Sequence, residues 1–222
     1  PPEIKKGTRG KFGKGNKKLG KSVLTWSELP VATCAGMSEW CAGKALQTLK
    51  VEDASTCYAA AMTLRKNRPA IRIRQELNTA AELLPEVPKP RRDGQPRLIR
   101  WYVSGDLTAR RIPQIAEFMQ AGPYMTGWLY TRSWRVPELR ELIEQHLQPL
   151  PNLSVFASTD VATELAPTGW RVASILGDSR YQRGVRCPEQ FGAKPSCEAC
   201  RFCFDPKAKN KTGGRVVTFR VH

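Results

Sequence analysis

Along the second half of the chain, short apolar runs alternate with amphipathic stretches. Leu98 to Val103, Gly127 to Tyr130, Leu153 to Ala157 and Arg171 to Leu176 are nearly continuous in apolar residues. Ile112 to Gln120 and Pro137 to Leu147, between them, carry helical spacing. Strand–helix alternation of this kind predicts a parallel sheet, and near-continuous apolar strands predict one covered on both faces. The expected fold class is α/β, either a partial parallel (β/α) barrel or an open parallel sheet. It carries a Cys-rich C-terminal metal-binding segment and a basic N-terminal arm.

The first half is less regular. A strand-like segment begins at Ser22 and is stopped by Leu29-Pro30, and a loop then carries Cys34 and Cys41. A helix is expected from Ser55 through Lys66, containing Cys57, and a second from Ala70 to Leu84, where Ile71, Leu77 and Leu84 recur near helical spacing. Pro85, Pro88, Pro90 and Pro96 mark a linker or surface loop, and Val216 to Val221 reads as a closing strand. The chain divides into a basic flexible arm over 1–21, an α/β core with the first cysteine group over 22–180, and a Cys-rich segment with its strand over 181–222.

Several predicted strands end in a small residue and an acid: Ser104-Gly105-Asp106, Ser158-Thr159-Asp160 and Gly177-Asp178. Ligands of parallel α/β folds bind at the carboxyl ends of strands. Ser104, Gly105, Asp106, Ser158 and Asp160 are therefore the expected cofactor-binding residues. The competing reading is that these residues only cap the helices that follow.

Charge changes the picture of partners. Thirty-six Lys and Arg face 20 Asp and Glu in 222 residues, a formal charge of +16. Such a field favours polyanions, so nucleic acid is the expected partner, DNA before RNA. Within residues 1–21, Lys5, Lys6, Arg9, Lys11, Lys14, Lys17, Lys18 and Lys21 alternate with glycines. An arm of this kind follows a phosphate backbone through counterion release, or is simply a solvated tail. With no apolar run of 18 residues and no signal-like apolar stretch, no membrane partner is expected and cytoplasmic residence is the default. His146 and His222 are the two histidines, and neither a nucleophilic triad nor a phosphate-binding glycine motif is present.

The seven cysteines fall in two groups with none between them. An odd number in a reducing compartment argues against a disulfide framework. Cys197-x2-Cys200-x2-Cys203, with Cys187 ten residues earlier, has the close spacing that wraps a [4Fe-4S] cluster. Zinc, the alternative metal, usually takes two C-x2-C pairs held apart. Cys34-x6-Cys41-x15-Cys57 is less specific: three thiolates hold a [4Fe-4S] cluster with one corner open, take a fourth ligand from elsewhere, or are buried thiols. Trp26, Trp40, Tyr58, Phe191, Phe202 and Phe204 lie near these groups in sequence, as core, as an apolar shell for a cluster, or as a stacking surface for bases.

Asn16-x2-Leu19-Gly20, Trp26-Ser27-x-Leu29-Pro30, Thr33-Cys34-x-Gly36, Trp40-Cys41 and Cys57-Tyr58-Ala59 resemble the gene product 88 family of phage and plasmid proteins. So do Tyr102-Val103-Ser104-Gly105-Asp106, Tyr130-Thr131-Arg132-Ser133, Ala157-Ser158-x-Asp160, Cys187-Pro188-x-Gln190 and the closing cysteines. The resemblance spans most of 16–222 and implies a mobile-element origin. The layout also resembles a reduced radical-SAM barrel. That resemblance implies a cluster on Cys34, Cys41 and Cys57 whose open iron binds S-adenosylmethionine, with Ser104-Gly105-Asp106 as the acidic strand-end motif. The spacing differs from that superfamily's C-x3-C-x2-C.

The expected function is an iron–sulfur protein of a mobile element that binds nucleic acid, in a regulatory or DNA-processing role. The alternatives are a radical-SAM-like enzyme acting on nucleic acid or a modified base, and a zinc-stabilised interaction protein.

Overall fold

The computed structural model describes residues 7–54, 57–67, 69–205 and 216–220. In chain order its strands are β1 (Gly13–Lys14), β2 (Leu24–Thr25), β3 (Arg97–Arg100), β4 (Met125–Thr131), β5 (Leu153–Ser158), β6 (Arg171–Ile175), β7 (Val185–Arg186) and β8 (Val216–Phe219). The helices are α1 (Glu39–Ala42), α2 (Ala45–Thr48), α3 (Tyr58–Thr63), α4 (Pro69–Ala80), α5 (Arg111–Ala121), α6 (Pro137–His146) and α7 (Cys197–Cys200). The strands form one open sheet in the order β1-β2-β3-β4-β5-β6-β8-β7, parallel throughout except between β1 and β2.

The sheet is buried on both faces, as its apolar strands require. Successive side chains on a strand point to opposite faces. Ile99, Leu129, Val155 and Ala157 pack with Ile112, Ile115, Phe118 and Met119 of α5 and Leu139 and Ile143 of α6. On the other face Leu98 and Trp128 meet Leu19, Val23 and Phe204. Beside them Phe156, Ala173 and Val217 pack with Cys187, and Tyr130, Phe202 and Cys203 close the cluster. Helices therefore cover one face, while the other is covered by the cysteine-bearing segment and a stretch of the supposed arm.

The first half departs most from expectation. Cys41 sits in the one-turn helix α1 rather than in a loop, because Ser38 caps it, accepting from the Cys41 amide at 3.1 Å. The helix expected over 55–66 is only α3, and Ser55 and Thr56 lie outside the described residues. The helix expected to reach Leu84 stops at Ala80, and Leu83 instead bridges to Arg9. β2 is two residues long, yet pairing beside β3 continues irregularly through Trp26 N to Arg100 O at 3.0 Å and Glu28 N to Ser104 O at 3.0 Å.

The expectation of a flexible arm over 1–21 fails from Gly7 onward. Lys5 and Lys6 lie outside the described residues. Beyond them, Phe12 packs edge-on against Trp26, Trp101 and Phe118, with centroids 5.9, 5.9 and 5.5 Å away. Gly10 lies so close to the Trp26 ring that a Cβ would fall 2.4 Å from it. Asn78 of α4 accepts from the Lys11 amide at 2.8 Å and donates to its carbonyl at 3.1 Å. The glycines here permit close approach to the core rather than flexibility. Phe12→Ala is expected to lower unfolding free energy by about 2–3 kcal/mol in urea titrations, whereas a solvated arm would leave it unchanged.

Candidate functional site

The carboxyl ends of β3 to β6 open into a cavity of about 480 Å³. All seven cysteines line it: Cys34, Cys41, Cys57, Cys187, Cys197, Cys200 and Cys203. None forms a disulfide. The two groups, far apart in the chain, therefore face one another across a shared space.

The first group is held by a loop pinned across three strand ends. Thr33 accepts from the Asp106 amide at 3.1 Å. Arg135 donates to the carbonyls of Gly36 at 3.1 Å and Met37 at 2.9 Å. Ser38 donates to Asp160 Oδ2 at 2.6 Å. Cys57 is the residue preceding α3, and the Cys41 thiol donates to it. That bond, helped by the Ala60 and Ala59 amides, holds the Cys57 thiol below the ordinary range. Burial pushes Cys34 up to about 12, and the charges of Asp106 and Cys57 add to this. At Gly36 the Arg132 carbonyl oxygen is so near that a Cβ would lie 1.8 Å from it. Gly36→Ala is expected to displace the loop and remove roughly half of any bound iron, with far-UV circular dichroism unchanged.

The second group is built on the covered sheet face. Cys187 follows β7 and its amide donates to Thr218 O at 2.9 Å. Ser196 caps α7, and the helix docks on the N-terminal segment through Cys197 N to Lys18 O at 2.8 Å and Glu198 N to Leu19 O at 3.0 Å. Arg201 takes a left-handed φ of 61°, which turns the chain between Cys200 and Cys203. Phe204 packs on Trp128 with centroids 4.7 Å apart. Burial, and then neighbouring thiol charge, pushes Cys197 up to about 12. Burial also takes Cys203 to about 11, against the pull of a hydrogen bond from Tyr130 Oη at 2.9 Å.

Ser104, Gly105, Asp106 and Ser158 line the cavity, while Asp160 is not among its lining residues. The polar side-chain atoms of this set are largely taken up by the protein. Asp106 Oδ1 accepts from Thr131 at 2.5 Å and the Leu107 amide at 2.7 Å, and Oδ2 from the Arg132 amide at 2.7 Å. Burial nevertheless raises the Asp106 pKa. Ser104 accepts from Gln75 at 2.6 Å and donates to Glu28 O at 2.9 Å. Asp160 accepts from Ser38, from Arg132 at 3.0 Å and from the Ala162 amide at 2.9 Å. Asp178 pairs with Arg180 and caps the turn beyond it. The strand-end acids thus act as clamps on the loops, above all on the loop that carries Cys34 and Cys41.

Three cavity-lining arginines, Arg100, Arg132 and Arg220, were not among the predicted site residues. Arg132 sits by the first group, with Nε buried and without a hydrogen-bond partner. Burial acts against its charge, but Cys41, Asp160 and Asp106 more than offset this and raise its pKa. Arg100 sits by the second group, stacked 4.1 Å over the Tyr130 ring. The legible signal was a charge inside the apolar run Leu98 to Val103, on the same face as Leu98.

The basic residues separate. Arg9 lies 4.0 Å from Glu86, and Lys18 lines the cavity 3.7 Å from Glu189. Lys11, Lys14, Lys17 and Lys21 are exposed. His146 ends α6 and is not among the cavity's lining residues, and His222 lies outside the described residues. Among the described residues no three Cys, His, Asp or Glu side chains converge as the ligands of one metal ion, and no helix is long and apolar enough to cross a membrane.

A family model described as gene product 88 matches residues 3–206. No curated protein and no solved structure matches the chain.

Proposed function

Because the chain belongs to the gene product 88 family, whose name carries no activity, we propose its function from the site: an iron–sulfur redox enzyme with two [4Fe-4S] sites facing one small-molecule cavity. The observation that carries this reading is that all seven cysteines, from separate stretches of chain, line that cavity. The donor set fits the group. It is all sulfur, it lies in an apolar shell of Trp128, Phe202 and Phe204, and arginine charge stands beside each half. A polynuclear cluster spreads its thiolates around its own body, instead of converging them on one ion at about 2.3 Å as zinc does.

Cys187, Cys197, Cys200 and Cys203 would hold one cluster completely. Cys34, Cys41 and Cys57 would hold the other by three corners and leave the fourth for a ligand in the cavity, S-adenosylmethionine being the candidate. Such clusters supply single electrons to what is bound beside them. The protein's own part is to fix the first group by the Ser38–Asp160–Arg132 clamp and to keep water from it with Trp40 and Met37. Anaerobic protein with about eight irons per chain that binds S-adenosylmethionine and releases 5′-deoxyadenosine on reduction supports the reading. Stoichiometric zinc without iron overturns it.

A second reading adds nucleic acid, DNA before RNA, as substrate or partner of a mobile-element protein. The +16 charge and the exposed lysines Lys11, Lys14, Lys17 and Lys21 favour it. Binding should weaken steeply with salt, and replacing these four lysines should flatten that slope. Affinity insensitive to salt would remove this reading.

A further inference from the structure

Arg100 is an unusual residue for its place. It lies on β3, third in the sheet order, with the sheet continuing on both sides. Its side chain leaves on the face shared by Leu98, Trp128 and Tyr130, where the C-terminal cysteines pack. Among the described residues it makes one hydrogen bond, Nη1 to Trp101 O at 3.0 Å, and no ion pair. A guanidinium has five N–H donors, and Arg100 is half-buried, so its cation carries a desolvation cost that no ion pair offsets. Burial accordingly acts to lower its pKa, and the charges that oppose this are those of Tyr130, Cys203, Cys197 and Asp106.

Tyr130 completes the arrangement. Its ring lies under the Arg100 guanidinium at 4.1 Å, and its hydroxyl donates to Cys203 Sγ at 2.9 Å. Phe156 and Phe219 hold the ring edge-on at 5.2 and 5.3 Å, so its direction is set by packing. Cation, ring and hydroxyl form a line that ends on a cysteine sulfur.

We propose that Arg100 and Tyr130 set the reduction potential of the C-terminal cysteine site, Arg100 as its counter-charge and Tyr130 as the hydrogen-bond donor to the Cys203 sulfur. This rests on the reading of that site as an iron–sulfur cluster. One electron added to a cluster makes it more negative. A donor on a cluster sulfur and a fixed positive charge stabilise that reduced form and raise the potential. The other cysteine group has its own arginine, Arg132, paired with Asp160 at 3.0 Å, so changes at Arg100 act on one site and leave the other as a control.

The test is an anaerobic potentiometric titration followed by EPR, with an electrode or chemical reductant supplying the electron. Tyr130→Phe keeps the ring and removes only the hydroxyl. It should shift the redox equilibrium of one couple about tenfold toward the oxidised form, a fall of about 59 mV for one electron. Arg100→Met should shift the same couple by at least as much, and Arg100→Lys should restore most of the loss. The second couple should not move. Iron-replete Tyr130→Phe and Arg100→Met proteins with both couples at wild-type potential would overturn the inference alone. Wild-type protein without iron would overturn the cluster reading, and this inference with it.

Discussion

Arg111→Ala is expected to destabilise the protein by about 3–5 kcal/mol, the cost of leaving one partner of a buried ion pair alone. Arg111 and Glu28 are essentially inaccessible, and Arg111 Nε donates to Glu28 Oε1 at 2.7 Å. The guanidinium also donates to the carbonyls of Asn78 and Ala81, each at 2.6 Å, and to Gln114 Oε1 at 2.6 Å. One side chain thus ties the end of α4 to the start of α5 and to the foot of the cysteine loop. Burial already raises the Glu28 pKa in spite of Arg111. Without the cation the folded-state pKa rises further, so folded protein binds a proton that the unfolded chain has lost. Stability from such a group is present below the unfolded pKa and lost as pH rises through the folded one. The Arg111→Ala deficit should therefore shrink as pH falls from 7 toward 5. Adding Glu28→Gln should recover part of it at neutral pH, since no charge is then left unpaired. Urea titrations at both pH values check this, and a pH-independent deficit would show that Glu28 does not carry the cost.

Cys203→Ser is the second large effect. The segment from Cys187 to Asp205 covers much of one sheet face, yet its only regular element among the described residues is the one-turn helix α7. Its protein contacts include the Phe204–Trp128 packing, the backbone bonds to Lys18, Leu19 and Thr218, and the side-chain bonds from Tyr130 to Cys203 and from Arg171 to Phe202 O. If a cluster holds it, losing one thiolate should remove roughly half the iron and half the visible absorbance. Metal binding free energy is folding free energy in such a segment. The melting temperature should then fall by about 10 °C, equivalent to some 3–4 kcal/mol for a chain of this size, and new proteolytic cleavage should appear within 187–205. Unchanged iron and an unchanged melting curve would show that the segment stands without metal.

The sequence by itself determined the α/β class and most of the second half. β4, β5, β6, α5 and α6 lie within a residue or two of their predicted ranges, because each has a strong local signal: an apolar run, or helical spacing opened by a proline as at Pro137. It also determined the close C-terminal cysteine spacing, which is a property of a few successive residues. Tertiary structure decided the rest. Phe12 is one aromatic among lysines and glycines, a pattern with no period, and only Trp26, Trp101 and Phe118 arriving from elsewhere give it a core to enter. Asp160 read as a ligand-facing acid until Ser38 and Arg132, from distant stretches, reached its oxygens. The meeting of the two cysteine groups in one cavity is of the same kind. Spacing fixes which thiols can wrap a common body within one segment. Whether two such segments share a space depends on strand order and on what covers each sheet face, and these are set by the packing of the whole chain.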